Sequence, residues 1–166
     1  MEVLTAEHMG FCYGVRRAVE MAAAAPGQTG APVFTLGPLI HNPQMIEKLR
    51  TQGVDVVNEL AAAGTATVVI RSHGVGPAVY AEAERQGKVL LDATCPHVKK
   101  AQLAARAFAE KGLQVVVAGE RKHPEVASIL EWAGPGAIAA ETAADIETAL
   151  LTGALGLVSQ TTQERD

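Results

Sequence analysis

The sequence predicts an α/β protein made of two similar subdomains, each a series of strand–helix units with mainly parallel sheets. Short apolar runs rich in valine, leucine and isoleucine alternate with alanine-rich amphipathic stretches, and a turn of small or polar residues joins each run to the next stretch. Strands that alternate with crossover helices usually lie parallel in one sheet. The alternation therefore predicts parallel sheets covered by helices.

Six strand–helix units follow one another along the chain. Their apolar runs are EVLTA (2–6), PVFTLG (32–37), ATVVI (66–70), KVLLD (88–92), LQVVVA (113–118) and LGLVS (155–159). The runs at 54–58 and 137–140 predict two further short strands. Gly53, Gly87 and Gly112 stand where helices are expected to end, because a left-handed C-terminal cap favours glycine.

Two breaks in this pattern affect the expected boundaries. The first helix, VRRAVEMAAAA, is expected to close at Pro26 and Gly27, since proline interrupts a helix. The sixth unit reaches Asp166 before a helix covers its strand. We therefore expect a partial chain, or one that a missing partner completes.

The composition favours a folded cytoplasmic protein. Hydrophobic residues make up 48% of the 166 residues, and the formal net charge of −4 argues against a nucleic-acid partner. No apolar stretch approaches the roughly 20 residues that a membrane helix needs. The N-terminus, MEVLTAEH, lacks the basic and apolar segments of a signal peptide. A disulfide between the two cysteines, Cys12 and Cys95, is not expected in a reducing cytosol.

The turns that come after the predicted strands carry a repeated series of residues. In chain order they are Cys12, His41, His73, Cys95, His123 and Thr161. The series gives Cys–His–His and then Cys–His–Thr, at almost equal intervals. Ligands of parallel sheets bind beyond the carboxyl ends of the strands. We therefore expect one site at these ends and two related subdomains, residues 1–94 and 95–166.

Considered singly, each cysteine could simply be a small buried apolar residue, which is the common fate of a free cysteine. Both, however, stand at a predicted helix N-terminus, Cys12 in a Gly-x-Cys-x-Gly turn and Cys95 before Pro96. A helix N-terminus lowers the pKa of a thiol and favours the thiolate. Two cysteines in equivalent places therefore favour metal or cluster ligation. An iron–sulfur cluster that binds substrate needs at least three, which predicts a third subdomain with a third cysteine.

The histidines admit two interpretations. A single histidine in a turn commonly forms hydrogen bonds with the backbone alone. His41, His73 and His123, however, all stand beside glycine, proline or asparagine at strand ends. This placement suits side chains that donate hydrogen bonds to a bound anion. They match no zinc motif, although a zinc site of two cysteines and three histidines stays open. Glu125 is the nearest carboxylate to His123, and a glutamate in a first helical turn is often simply solvated. Thr161 would equally suit a strand.

Four basic residues and the single tryptophan are predicted to be structural. Arg16, Arg17, Lys99 and Lys100 are interpreted as solvated helix faces, and Trp132 as a core residue.

Six motifs carry a resemblance to a known family. They are GFCYGVRRAV, LIHNPQ, RSHGV, DATCPHVKKAQ, HPEV and SQTT, in this order along the whole chain. The sequence resembles the N-terminal part of the 4-hydroxy-3-methylbut-2-enyl diphosphate reductase family, also called IspH or LytB. The resemblance implies a pseudo-threefold fold of three α/β subdomains around a [4Fe-4S] cluster held by three cysteines. Cys12 and Cys95 match the first two.

The resemblance also implies a reaction. An allylic hydroxyl binds the open iron and leaves as water after two electrons and protons arrive, which gives isopentenyl and dimethylallyl diphosphate, the last step of the non-mevalonate pathway. His41, His73 and His123 match the residues around the substrate diphosphate. Glu125 matches the proton donor and Thr161 the hydroxyl beside it. Ferredoxin or flavodoxin is the implied electron donor.

The family's third cysteine and its Ser-x-Asn segment are expected beyond Asp166. Two alternatives therefore stay open for this chain: a non-catalytic diphosphate-binding fragment, and a two-cysteine metal-binding module.

Overall fold

The computed structural model describes residues 3–7, 9–148, 151 and 153–163. Strands and helices alternate as predicted over these residues. In chain order the elements are α1 (Tyr13–Thr29), β1 (Val33–Leu36), α2 (Pro43–Thr51), β2 (Val54–Val57), a 3₁₀ turn (Leu60–Ala63), β3 (Thr67–Ile70), α3 (Pro77–Arg85), β4 (Leu90–Asp92), α4 (Pro96–Glu110), β5 (Gln114–Ala118), α5 (Pro124–Ala133), β6 (Ile138–Ala140), α6 (Ala143–Thr148) and β7 (Leu155–Ser159).

Two parallel sheets organise the described residues. The first has the strand order β2-β1-β3-β4 and the second the order β6-β5-β7, and every strand pair is parallel. β1 and β5 occupy equivalent central places, since each is flanked by the next two strands of its own half. The predicted α/β class with parallel sheets is confirmed. The shared connectivity gives a structural counterpart to the repeated order of residues in the sequence.

Apolar side chains pack on both faces of the sheets, because successive residues of a strand point to opposite faces. In β3, Val69 packs with α1 and α2, while Val68 and Ile70 face the opposite side, near the 3₁₀ turn and α3. Successive side chains of a strand point to opposite faces, so a strand buried on both faces is apolar throughout. Val117 of β5 packs against α4 and α5 in the second half. These layers hold the strand ends, and the turns after them, in fixed positions.

The first predicted strand, residues 2–6, is wrong over the described residues 3–6, and residue 2 lies outside them. Residues 3–6 have no regular structure, and Val3 and Leu4 are 73% and 85% exposed. Strand propensity expresses how well a residue fits a paired, half-buried surface. An apolar run without a neighbouring strand edge does not meet that condition.

The predicted end of the first helix is also wrong. α1 continues through Pro26 to Thr29 and ends at Gly30, which has a φ of 62°. Proline at this point removes only one hydrogen bond close to the helix end, where the next residues supply the cap. The predicted glycine caps at Gly53, Gly87 and Gly112 are confirmed, with φ values of 87°, 63° and 75°.

In the part of the chain that the structure describes, no helix combines the length and the apolar character required to cross a bilayer.

Candidate functional site

One cavity of about 290 Å³, here called the central cavity, lies where the strand ends and helix N-termini of both halves meet. All seven predicted site residues line it: Cys12, His41, His73, Cys95, His123, Glu125 and Thr161. Apolar side chains of Phe11, Val15, Ile40 and Val98 contribute to the wall. The cavity therefore combines thiols, imidazoles and a carboxyl group with an apolar lining.

Both cysteines stand at the N-cap positions of equivalent helices, Cys12 before α1 and Cys95 before α4. Both thiols are free. A Cβ atom added to Gly14 would meet the Cys95 sulfur and would lie 3.0 Å from the Cys95 Cβ. The second glycine of Gly-Phe-Cys-Tyr-Gly therefore lets Cys95 approach α1 closely. Two helix N-termini directed at one point favour an anionic group there.

The three predicted histidines form a compact cluster. The ring centroid of His41 lies 4.4 Å from that of His73 and 5.4 Å from that of His123, and the last two are 5.4 Å apart. Burial, with contributions from His41, His123 and Arg71, lowers the pKa of His73 to about 3. His73 is therefore neutral near pH 7, and its buried Nδ1 atom has no hydrogen-bond partner among the described residues.

A backbone hydrogen bond selects the tautomer of His123. Its Nδ1 atom accepts the Glu125 N–H at 3.2 Å and so caps α5. A neutral imidazole that accepts at Nδ1 carries its proton at Nε2, so this assignment makes Nε2 a hydrogen-bond donor. A zinc ion would instead need a lone pair at Nε2. One ring nitrogen of each of the three histidines lies within 4.8 Å of the others, but this cap favours an anion over a metal at His123.

Glu125 is almost fully buried, with 2% of its surface exposed. Its Oε1 atom accepts the Thr161 N–H at 2.6 Å, and its Oε2 atom accepts the Thr161 hydroxyl at 3.1 Å. The carboxyl group thus reaches the cavity from the first turn of α5 and is fixed by Thr161, the second residue after β7. A side chain held in this way can present a proton in one direction.

A buried serine, which the sequence analysis does not single out, supports the histidine and the glutamate. The Ser128 hydroxyl accepts a hydrogen bond from Gln102 Nε2 at 3.1 Å and lies 3.0 Å from the His73 carbonyl and 2.8 Å from the Glu125 carbonyl. A Cβ at Gly74, whose φ is 73°, would collide with the Gln102 amide. The sequence does contain a signal, because Gln102 is a polar residue on the buried stripe of α4.

The interpretation of Lys99 as a solvated residue is wrong. Its Nζ atom lies 3.3 Å from an Asp92 carboxylate oxygen and 4.9 and 5.0 Å from the ring centroids of Tyr80 and Trp132. Burial alone would raise the pKa of Asp92, but hydrogen bonds from Thr94 and Tyr80 and the charge of Lys99 lower it. Lys99 therefore joins α4 to β4, α3 and α5.

The interpretation of Arg17 as solvated is wrong as well. Its Nη1 atom donates to the Thr94 carbonyl at 3.2 Å, whereas Arg16 and Lys100 are exposed as predicted. Trp132 is half-buried and donates from Nε1 to the Val75 carbonyl at 2.9 Å.

Comparison with known proteins identifies the family. A family model described as "LytB protein" matches residues 3–166. The chain belongs to the LytB family. Proteins of Trichlorobacter lovleyi and Geobacter sulfurreducens, both named 4-hydroxy-3-methylbut-2-enyl diphosphate reductase, are 41% and 43% identical to this LytB chain, each over 166 residues. The alignments cover 100% and 98% of the chain but 59% and 57% of the relatives, so the chain spans less than two thirds of their length.

Two solved structures resemble the LytB chain along most of its length. The (E)-4-hydroxy-3-methyl-but-2-enyl diphosphate reductase described as the terminal enzyme of the non-mevalonate pathway has a TM-score of 0.84 and 39% identity, over 98% of this chain and 59% of that chain. The E-1-hydroxy-2-methyl-but-2-enyl-4-diphosphate reductase of Plasmodium falciparum has a TM-score of 0.88 and 25% identity, over 93% and 49%. The parallel α/β architecture is therefore that of known reductases.

Proposed function

We propose that this chain is the N-terminal part of an enzyme that reduces (E)-4-hydroxy-3-methylbut-2-enyl diphosphate to isopentenyl and dimethylallyl diphosphate. The observation that carries the proposal is the convergence of six separate sequence motifs on one cavity. Membership of the LytB family and the names of the relatives support the reaction type. Activity, substrate and partners belong to the full-length protein.

The residues present fit an iron–sulfur cluster. Cys12 and Cys95 are free thiols at equivalent helix N-termini, and both border the central cavity. Thiolates are the usual ligands of such clusters, and helix N-termini stabilise the negative charge. We propose that these two cysteines supply two of three thiolates to a [4Fe-4S] cluster. When bound, the cluster would supply electrons and a Lewis-acidic iron for the substrate hydroxyl.

The histidines are suited to holding the diphosphate. His73 is neutral, and the cap at α5 places the His123 proton on Nε2, so both rings can donate hydrogen bonds without adding charge to a buried cluster. His41 is exposed at the same rim. Several donors converging on one point are the usual means of binding phosphate oxygens. We propose that His41, His73 and His123 orient the diphosphate end of the substrate.

Glu125 is the proposed proton donor. Its carboxyl group reaches the cavity, and both of its oxygens are held by Thr161, through the backbone N–H and through the hydroxyl. A general acid must be placed within hydrogen-bond reach of the atom that it protonates. Thr161 would keep the carboxyl group in that orientation through these two hydrogen bonds.

The subdomain boundaries, the third subdomain, the electron donor and the cellular location are also proposals. The division into residues 1–94 and 95–166 is supported by the two sheets, since β4 ends the first and β5 begins the second. We propose that a third α/β subdomain, with a third cysteine, completes a pseudo-threefold arrangement in the full-length protein. Ferredoxin or flavodoxin is the proposed electron donor and the cytoplasm the proposed location.

Anaerobic reconstitution of the full-length protein with iron and sulfide tests the proposal. Wild type should gain the visible absorbance of a cluster and turn over the allylic diphosphate, whereas Cys12→Ser should lose the absorbance and the iron. Unchanged iron content in Cys12→Ser would remove it as a ligand. Tight zinc binding without a cluster would support the metal-binding alternative, and diphosphate binding without turnover would support the binding fragment.

A further inference from the structure

The backbone beside Cys95 is held by three separate elements. The Thr94 N–H donates to Asp92 Oδ1 at 3.0 Å, and the Thr94 hydroxyl donates to the same oxygen. The Cys95 N–H donates to the Ser72 carbonyl at 2.9 Å. The Thr94 carbonyl accepts from Arg17 Nη1 at 3.2 Å. Thr94 is buried, so each of these polar groups needs its protein partner.

Arg17 differs from the other partners because it belongs to the helix that Cys12 begins. It lies in α1, one to two turns after Cys12, while Thr94 directly precedes Cys95. Gly14 lies three residues before Arg17 and therefore on the same side of the helix. The Cys95 side chain packs against Gly14, where a Cβ atom would collide with it. One helical face thus contacts both the Cys95 side chain and the carbonyl just before it.

We propose that Arg17 is a positioning residue that fixes Cys95 relative to Cys12. The inference rests on the proposed function, in which both thiolates hold one cluster. Partners of metal ligands commonly determine how those ligands are oriented. In this arrangement the Arg17 guanidinium fixes the position of the Thr94–Cys95 turn along α1. Gly14, which has no side chain, determines how closely the Cys95 sulfur approaches α1. The two halves then present their thiols at a fixed separation before any metal binds.

Cross-linking of the free thiols measures that separation directly. Dibromobimane links two neighbouring thiolates by forming two C–S bonds and releasing two bromide ions, and its fluorescence appears when both bonds have formed. The chain has only two cysteines, so the rate of the second bond reports on Cys12 and Cys95 alone. The experiment uses the reduced 166-residue chain and requires neither cluster nor activity.

Arg17→Met should slow the second bond by about tenfold, which corresponds to about 1.4 kcal/mol. Arg17→Lys keeps a donor and the charge and should recover part of the rate. Arg16→Met is the matched control, because Arg16 is the exposed neighbour in the same helix, and it should link at the wild-type rate. Single labelling with monobromobimane and the circular dichroism spectrum should be the same in all four chains.

Gly14→Ala gives an independent test if Arg17→Met does not fold. Alanine favours the helix more than glycine does, but its Cβ meets the Cys95 sulfur, so linking should slow while helix content is kept. A wild-type linking rate in a folded Arg17→Met chain would overturn the inference, as would equal slowing in Arg16→Met. If Arg17→Met does not fold, a wild-type linking rate in Gly14→Ala would overturn it, because the contact between Cys95 and α1 would then not set the thiol separation. Failure of the wild type to assemble a cluster, with linking rates as expected, would instead refute the proposed function.

Discussion

Removing one buried hydroxyl, that of Ser128, should destabilise the chain more than its size suggests. The hydroxyl accepts a hydrogen bond from Gln102 Nε2 and donates one to the His73 carbonyl. Gln102 is fully buried, and its Oε1 atom already has no partner among the described residues. Ser128→Ala would therefore leave the whole Gln102 amide unsatisfied. Nε2 is the atom that newly loses its partner, and one buried unsatisfied group costs about 1–3 kcal/mol, so the free energy of unfolding should fall by about 1–3 kcal/mol.

Replacing both partners should be less costly than replacing Ser128 alone. Methionine fills nearly the same space as Gln102 and carries no strong polar group. Gln102→Met removes one hydrogen bond but also removes the unsatisfied oxygen, so we expect a loss of about 1 kcal/mol or less. The double variant should unfold within about 1 kcal/mol of Gln102→Met, since no amide remains to be satisfied.

Urea unfolding at pH 7, followed by circular dichroism, gives the free energies for the four chains of this cycle. Ser159→Ala provides the control, because Ser159 is an exposed serine in β7, and it should change stability by less than about 0.5 kcal/mol. Strictly additive effects in the double variant would refute the reasoning. So would a Ser128→Ala chain as stable as the control.

Three further predictions concern the acid, the buried histidine and the helix–strand contact. Glu125→Gln can keep both bonds to Thr161, so the urea midpoint should change little while turnover of the full-length enzyme is lost. The pKa of His73 lies near 3 in the folded chain and near its ordinary 6.5 when unfolded. The unfolded chain then binds more protons between these values, so stability should fall as pH drops below about 6.5, and His73→Asn should weaken that fall. Gly156→Ala should lower stability by about 1–3 kcal/mol, because its Cβ would lie 2.6 Å from Phe108, as thermal unfolding would detect.

Each of these predictions has a result that contradicts it. Full turnover by Glu125→Gln would exclude the carboxyl group as the proton donor. If the free energy of unfolding falls equally below pH 6.5 in wild type and His73→Asn, groups other than His73 cause the fall. Gly27→Ala is the control for Gly156→Ala, because a Cβ at Gly27 meets nothing within 4 Å. Equal losses in both alanine variants would show that the Phe108 contact does not matter.

The sequence was sufficient to predict the parallel α/β fold and the convergence of the site residues. Both follow from local rules: apolar runs form strands, glycine ends helices, and polar residues after parallel strands meet at one edge. Cys12 and Cys95 are at the helix N-termini where the turns placed them. The wrong strand at 3–6 shows the limit of such rules, because a strand also depends on a neighbour elsewhere in the chain.

The supporting residues were not predicted for a related reason. Arg17 and Lys99 look solvated in a helical sequence, since nothing local reveals that Thr94 or Asp92 lies within reach of them. Long basic side chains can run along a surface and bond a distant group. Gln102 was the one detectable exception, as a polar residue among apolar positions of α4. Side chains that act through long-range contacts need the fold before their partners can be named.

The short connection from β4 to α4 has a consequence for dividing this protein into parts. Linkers between domains are usually exposed and make few contacts. Here the link is Ala93–Thr94–Cys95, in which Ala93 and Thr94 are buried, and it carries a proposed cluster ligand. A cut between the halves would open the site itself. Fragments made at that point, or permuted chains that start there, should lose the thiol geometry even where each sheet still folds.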